Sequence, residues 1–192
     1  MRKFKIKNLK LKINQDGFTL IETLVAISIL VIAIVGPLSI VSRGVFFSNY
    51  AKDQITAFYL SQEAIEYLRN RRDANIITSG TWNEYKTSII NSCLVLSNPN
   101  GCTVDVTVAD AVGIAPCSSI CPNLNLDSVN GFYGYGAGTN WSPTQFKRFV
   151  KVYSQPAGDI NANELRIEVK VEWVNGLTTK NFVINESLFN WQ

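Results

Sequence analysis

The chain has 192 residues, with 18 Lys+Arg against 15 Asp+Glu and no histidine. This length fits one ordinary domain with an appendage and excludes two large domains. Without residues 1–17 the chain has 12 Lys+Arg and 14 Asp+Glu. This slightly acidic remainder of the chain argues against nucleic acid as a partner, because neutralisation of phosphate charges supplies most non-specific affinity for nucleic acid. The absence of histidine excludes Ser/His/Asp and Cys/His catalytic arrangements.

A basic leader precedes a long apolar segment. Residues 1–17 contain six Lys/Arg, and residues 18–41 contain one ionisable side chain, Glu22. As a helix, these 24 residues would span about 36 Å, enough for a hydrocarbon core of about 30 Å. The positive-inside bias predicts a membrane helix whose leader stays cytoplasmic while the C-terminal part lies outside the cytoplasm.

The helical pattern continues well beyond this segment. We predict one helix from about Phe18 to Asp73, apolar on all sides in its first half and amphipathic in its second. Gly36-Pro37 is expected to bend or locally unwind it. A run of cations, Arg69, Arg71 and Arg72, suits its negative C-terminal end. The apolar stripe of the second half consists of Ala51, Ile55, Phe58, Ile65 and Leu68.

The rest of the chain divides into a loop-rich middle and a strand-rich C-terminal third. Glycine and proline punctuate residues 74–144, where we predict only a short helix around Trp82 to Asn91 and a strand at Thr103 to Val108. Residues 164–173 alternate strictly between polar and apolar side chains, which predicts a strand with one buried face. Residues 148–153 are a further predicted strand.

A hairpin is predicted where Asn175-Gly176 follows the alternating strand, as a two-residue type I′ turn. This register would place Val169 opposite Phe182 and Ile167 opposite Ile184, all on the apolar face. The apolar face of the sheet needs a cover, which the amphipathic half of the helix can provide. The predicted fold is therefore α+β, a long N-terminal membrane-inserted helix packed on an antiparallel sheet.

Glu22 is the unusual residue of the apolar segment. A carboxylate at the centre of a bilayer costs at least about 2.5 kcal/mol, so intramembrane acids tend to be functional. One alternative is an ordinary signal anchor that tolerates an acid near the interface. Another is a secretory signal peptide, but the stretch PLSIVSRG after the apolar run offers no small-residue cleavage site.

The string Gly17-Phe18-Thr19-Leu20-Ile21-Glu22, with its basic leader and apolar run, resembles the processing signal of type IV prepilins and pseudopilins. The resemblance implies that a membrane-embedded prepilin peptidase cuts after Gly17 and methylates the new N-terminus at Phe18. It also implies that Glu22 directs assembly. Cleavage would expose a cationic amine one helical turn from Glu22, and this carboxylate could meet the amine of a neighbouring subunit.

The resemblance further implies a structural role. We expect a non-enzymatic, cofactor-free minor subunit of a type IV pilus or type II secretion pseudopilus. Its partners would be the prepilin peptidase, other pilin or pseudopilin subunits, the inner-membrane assembly platform and the membrane. The implied segments are the leader (1–17), the membrane or filament-core half of the helix (18–41), its amphipathic half (42–73) and an extracytoplasmic domain (74–192). The alternative is a monomeric, single-pass membrane-anchored binding domain.

The four cysteines are Cys93, Cys102, Cys117 and Cys121. Zinc would favour paired C-x2-4-C knuckles, and only the last two approximate one. Outside the cytosol, disulfides are permitted. Of three pairings, we prefer Cys93 with Cys102 and Cys117 with Cys121, because each closes a short loop; free thiols are the alternative.

Three further patterns have plain explanations. Asp159, Asn161 and Asn163 alternate like calcium ligands, but the sixth and twelfth positions of such a loop lack the required Gly and Glu.

The aromatic-glycine run at 131–140 is either a loop that touches a ligand or subunit, or a mobile or packed loop. Two basic clusters could touch DNA, but helix termination and solvated strand faces explain them more simply: Arg69, Arg71 and Arg72, and Lys147, Arg148 and Lys151.

Overall fold

The computed structural model describes residues 17–108, 113–159 and 161–190, apart from the side chains of Ser88 and Ile89. All of the leader except Gly17 therefore lies outside the described residues. Packing divides the chain into two compact units, with the boundary between Phe47 and Ser48. We refer to the described residues from Ser48 onward as the body.

The first element is a single helix, α1, at Leu20–Ile77. It is continuous through Gly36 and Pro37, so of the expected bend or local unwinding, the unwinding does not occur. The Ser39 hydroxyl donates to the Gly36 carbonyl at 2.8 Å within this stretch.

The C-terminal end of α1 lies about one turn beyond the predicted end at Asp73. Ser79 has a φ of 66°, and its N–H donates to the Ile76 carbonyl at 3.0 Å. The Gly80 N–H donates to the Asn75 carbonyl at 2.8 Å. These two bonds form a Schellman motif, which satisfies the last carbonyls of a helix. Termination therefore depends on the Ser79-Gly80 backbone and not on the arginine run.

Within the described residues the sheet has seven strands, and every pairing between them is antiparallel. The longest strand, β5, pairs on one edge with β6, which pairs with β7. On its other edge, β5 pairs with β3 near its start and with β1 at Val150. The strands are β1 (Cys102–Val104), β2 (Ile114–Pro116), β3 (Asn123–Asp127), β4 (Tyr133–Gly134), β5 (Trp141–Gln155), β6 (Glu164–Asn175) and β7 (Thr178–Phe189). The α+β prediction is confirmed, and the arrangement is like that of type IV pilins.

The hairpin between β6 and β7 is confirmed, but the predicted register is wrong by two residues. Val169 lies opposite Ile184, and Val171 lies opposite Phe182. The two turn residues are Gly176 and Leu177, and only Gly176 has a positive φ, at 63°. This matches a type II′ turn, which places glycine first. Because side chains alternate with a period of two, the shift leaves the same residues on the apolar face.

The middle of the chain contains more structure than its composition predicts. The expected helix at 82–91 is replaced by α2 (Trp82–Glu84), a π-helix (Tyr85–Ile89) and a 3-10 helix (Asn91–Cys93). A capping box of Thr81 and Glu84 begins α2. The strand expected at 103–108 ends at Val104, because the Asp105 carboxylate takes hydrogen bonds from Thr107 and turns the chain.

The body has its core between the second half of α1 and the sheet. Within the predicted stripe, Ile65 and Leu68 are buried as expected, whereas Ala51 and Ile55 are exposed and Phe58 contacts Phe182 at the margin. Small side chains on α1 allow close approach to the sheet. The buried residues of α1 are Ala57, Leu60, Ser61, Ala64, Ile65, Leu68 and Arg72. They pack mainly against buried valine, leucine and isoleucine side chains of the sheet.

Candidate processing and assembly site

The bond between Gly17 and Phe18 lies in exposed, non-helical chain immediately before α1. The Phe18 side chain is exposed, and a Cβ at Gly17 would meet no atom within 4 Å. Peptidases act preferentially on backbone that is accessible and free of regular structure. The local structure is thus compatible with cleavage after Gly17.

Thr19 caps the N-terminus of α1, and Glu22 lies in the first turn. The Glu22 N–H donates to Thr19 Oγ1 at 3.3 Å, and the Thr23 N–H donates to the Thr19 carbonyl at 3.2 Å. The positive end of the helix dipole stabilises a carboxylate at this position. The helix dipole therefore favours Glu22 locally, which our sequence reasoning missed. The Thr-x-x-Glu spacing was a signal for a helix N-terminus at Thr19, although only the Thr19 half of a capping box is formed.

The hydroxyl groups of the apolar segment have partners within the helix itself. Thr23 Oγ1 donates to the Leu20 carbonyl at 2.9 Å, and Ser28 Oγ donates to the Leu24 carbonyl at 2.7 Å. These groups can enter lipid without an external partner. Glu22 differs: within the part of the chain that the structure describes, its carboxylate has no ion pair and accepts no hydrogen bond.

Helix α1 is long and apolar enough to cross a membrane, and none of its most apolar stretch is buried. The exposed side chains include Leu24, Ile27, Leu30 and Ile34. A surface that is apolar around the whole helix is typical of a membrane span or of a helix buried by other proteins. The exposed apolar helix thus fits a membrane anchor, as the sequence predicts.

Arg148 is wholly buried, so the expected solvated strand face is wrong at this residue. Its guanidinium donates to the Leu60 carbonyl at 2.9 Å, to Glu63 Oε2 at 3.0 Å and to the Val104 carbonyl. The alternation of β5 places Arg148 on the same face as Val150. Arg148 consequently joins α1, β5 and β1, and is not exposed for DNA.

The arginines near the end of α1 are also used within the body. Arg69 pairs with Glu66 and with Glu186 of β7, the latter at 2.7 Å. The hydrogen bond that Arg69 donates to Glu186 raises the pKa of Arg69 above its ordinary value. Arg72 is buried and pairs with Asp73 at 2.8 Å. The Arg69–Glu186 pair holds the helix to the sheet, whereas the other two pairs lie within α1. All three favour a structural role over DNA contact.

The structure contains two disulfides, Cys93–Cys102 and Cys117–Cys121. These are the pairs preferred from the sequence, and no cysteine is free. The first joins the 3-10 helix to β1, and the second closes the loop after β2. Both cross-links suit a domain that matures outside the reducing cytosol.

The aromatic-glycine run is packed against the body along part of its length. The rings of Tyr133 and Phe146 are 6.0 Å apart, and the Tyr135 N–H donates to Asp105 Oδ2 at 3.0 Å. Gly136 lies so close to Trp141 that a Cβ would overlap the indole. Burial raises the pKa of the Tyr135 hydroxyl, with a partial offset by Arg148.

The suspected calcium loop is organised by its own backbone. The Asn161 N–H donates to Asp159 Oδ1 at 2.8 Å, which is an Asx-type turn. Asp127 forms the same kind of turn in another loop, where the Val129 N–H donates to Asp127 Oδ1 at 2.9 Å. This hydrogen bond is the main reason why the pKa of Asp127 is lowered. Both carboxylates therefore have a local structural function.

The α+β fold is like that of type IV pilins, and its N-terminal helix is long and apolar enough to span a membrane. Residues 12–36 match the family model described as the prokaryotic N-terminal methylation motif. This motif is the prepilin-type cleavage and methylation signature of type IV pilins and pseudopilins. The chain therefore carries that signature. Neither a curated protein nor a solved structure matches the chain significantly.

Proposed function

We propose that the protein is a minor structural subunit of a type IV pilus or type II secretion pseudopilus. A prepilin peptidase cuts the leader after Gly17, and Phe18 becomes the methylated first residue. The subunit then enters a filament through residues 18–41 of its helix, while the body remains extracytoplasmic. Its partners are the peptidase, other pilin or pseudopilin subunits and the inner-membrane assembly platform.

The observation that carries this proposal is the carboxylate of Glu22. It has no hydrogen bond or ion pair within the described chain, whereas the hydroxyls beside it are satisfied within the helix. A carboxylate in an apolar surface gains most from a cation. The amine that cleavage would create at Phe18 of an adjacent subunit supplies such a cation, and this supports assembly after processing.

The two disulfides support the proposed orientation. All four cysteines lie in the body, where an oxidising compartment would maintain them. A body outside the cytoplasm and a basic leader inside it agree with the positive-inside bias. Catalysis has no part in this function: the helix anchors and assembles, and the body presents its surface.

The test compares two substitutions in one apolar helix. We expect Glu22→Val to leave the protein in the membrane fraction of the native host and to lower its amount in sheared filaments at least tenfold. Ser28→Ala is the matched control, because the Ser28 hydroxyl is already satisfied by its own helix. The measurement is immunoblotting of both fractions, with total protein as the reference.

Equal amounts of wild type and Glu22→Val in the filament fraction would contradict assembly through this carboxylate. Wild-type protein that stays entirely in the membrane, in cells whose other pilin subunits reach filaments, would favour a monomeric membrane-anchored domain instead.

A further inference from the structure

The body contains a partly enclosed cavity of about 330 Å³ beside the π-helix. Its buried lining includes Lys86, Ser154 and Leu165, and more exposed lining residues are Leu94, Leu96 and Asp159. This volume is at the lower end of the range for ligand pockets, and it suits a small molecule or the terminus of a peptide. The cavity lies in a different part of the chain from Glu22 and is independent of the proposed function.

Ser154 is the first sign that the cavity takes a ligand. The residue is 5% exposed, and its Oγ has no hydrogen-bond partner among the described residues. A buried hydroxyl without a partner is unfavourable, because it has lost its water without replacement. Since Ser154 lines the cavity, a polar group bound there would satisfy it.

Lys86 is the second sign. It is 6% exposed and lines the same cavity, with Nζ donating to the Ala162 carbonyl at 3.4 Å. It belongs to the π-helix Tyr85–Ile89, and short π-helical turns occur frequently at functional sites. An ammonium group and an unpartnered hydroxyl on the lining of one cavity favour an anion, because a charge-assisted hydrogen bond is stronger than a neutral one.

The remaining lining residues restrict the kind of anion. Asp159 is an exposed carboxylate on the lining, and it disfavours a ligand with a second negative charge, such as a phosphate or a dicarboxylate. Leu94, Leu96 and Leu165 provide an apolar wall. We propose that this cavity binds a monocarboxylate with a short apolar tail, with Lys86 and Ser154 holding the carboxylate.

Both a free organic acid and the C-terminus of a peptide carry this chemistry. The experiment uses the full chain in detergent micelles with ¹³C-labelled leucine methyl groups. N-acetyl-L-leucine is the first probe, and its matched control is N-acetyl-L-leucinamide, which lacks the charge. The second pair is the peptide Ac-Ala-Ala-Leu with a free or an amidated C-terminus.

We expect the free carboxylates to shift the methyl signals of Leu94, Leu96 and Leu165 in a saturable manner, and the amides to leave them unchanged. Tighter binding of the tripeptide identifies a peptide C-terminus as the source, and tighter binding of N-acetyl-L-leucine identifies a small acid. Equal binding of acid and amide, or no saturable shift with either acid, would overturn the proposal.

Variants assign the binding residues. We expect Lys86→Gln to weaken N-acetyl-L-leucine binding about tenfold or more, and Ser154→Ala to weaken it about threefold. Asp159→Asn should keep this binding and improve that of succinate, which carries two carboxylates. Lys180→Gln, on the exposed edge strand, is the charge-matched control and should change neither. Near-UV circular dichroism verifies folding, and unchanged affinity in both folded Lys86→Gln and folded Ser154→Ala would overturn the assignment.

Discussion

The first half of α1 and the body differ in how their charged side chains are partnered. In the first half, hydroxyls such as Ser28 Oγ bond to their own helix, while the Glu22 carboxylate has no partner in the described chain. In the body, Arg148 is fully buried and donates to three acceptors from two other elements. Arg148 therefore has a structural role within the body, whereas we propose that Glu22 finds its partner in another subunit.

Among the substitutions predicted here, removal of the Arg148 side chain should lower the free energy of unfolding most. We expect Arg148→Ala to destabilise the body by about 3 to 5 kcal/mol, because it leaves Glu63 without its buried cation and two carbonyls without their donor. The measurement is urea denaturation of the full chain in micelles, followed by near-UV circular dichroism.

Lys151→Ala is the matched control for Arg148→Ala. Lys151 lies on the same strand, but its side chain belongs to the more exposed face. We expect its effect to stay within about 0.5 kcal/mol. A loss of less than about 1 kcal/mol for Arg148→Ala would mean that the buried guanidinium does not hold the body together.

The disulfides should have the next largest effect. Replacing both Cys93 and Cys102 by Ala is expected to destabilise the body by about 2 to 3 kcal/mol in the chain-entropy model. The Cys117–Cys121 loop is shorter, with a sequence separation of 4 against 9. Its removal should cost about 0.5 kcal/mol less, and a larger loss from this second pair would contradict the loop-length account.

Substitutions in the β6–β7 turn should change the free energy of unfolding least. Gly176 has a φ of 63°, and a left-handed conformation costs an L-residue about 1 to 2 kcal/mol. We expect Gly176→Ala to lower the free energy of unfolding by that amount, whereas Leu177→Ala should change little, because Leu177 is fully exposed. Equal effects of the two substitutions would argue against the turn at Gly176-Leu177.

The sequence predicted those features that depend on periodicity. The alternation of β6 and the apolar run of α1 determined the α+β class, the membrane segment and the hairpin. Burial in the second half of α1 was only partly predictable, because the small residues Ala57, Ser61 and Ala64 give a weak apolar signal. Here close packing, and not side-chain size, decides which face is buried.

Features that depend on long-range contacts were not predictable. The charge of Arg148 suggested that it lies on a solvated face. Its alternation with Phe146, Val150 and Val152 on the same strand could have indicated that it is buried. The two-residue shift of the hairpin could not be detected, because both registers bury the same face. In the cavity, Lys86 and Ser154 are 68 positions apart in the sequence and come together only through tertiary structure.

The central claim is that a neighbouring, newly exposed amine is the partner of Glu22, and it requires cleavage after Gly17. Mass spectrometry of the N-terminal peptide, from protein extracted from native-host membranes, tests this most directly. We expect the chain to begin with N-methylated Phe18 in cells that contain the prepilin peptidase, and with Met1 in cells that lack it. An intact Met1 where the peptidase processes other substrates, or a first residue beyond Val41, would contradict the account.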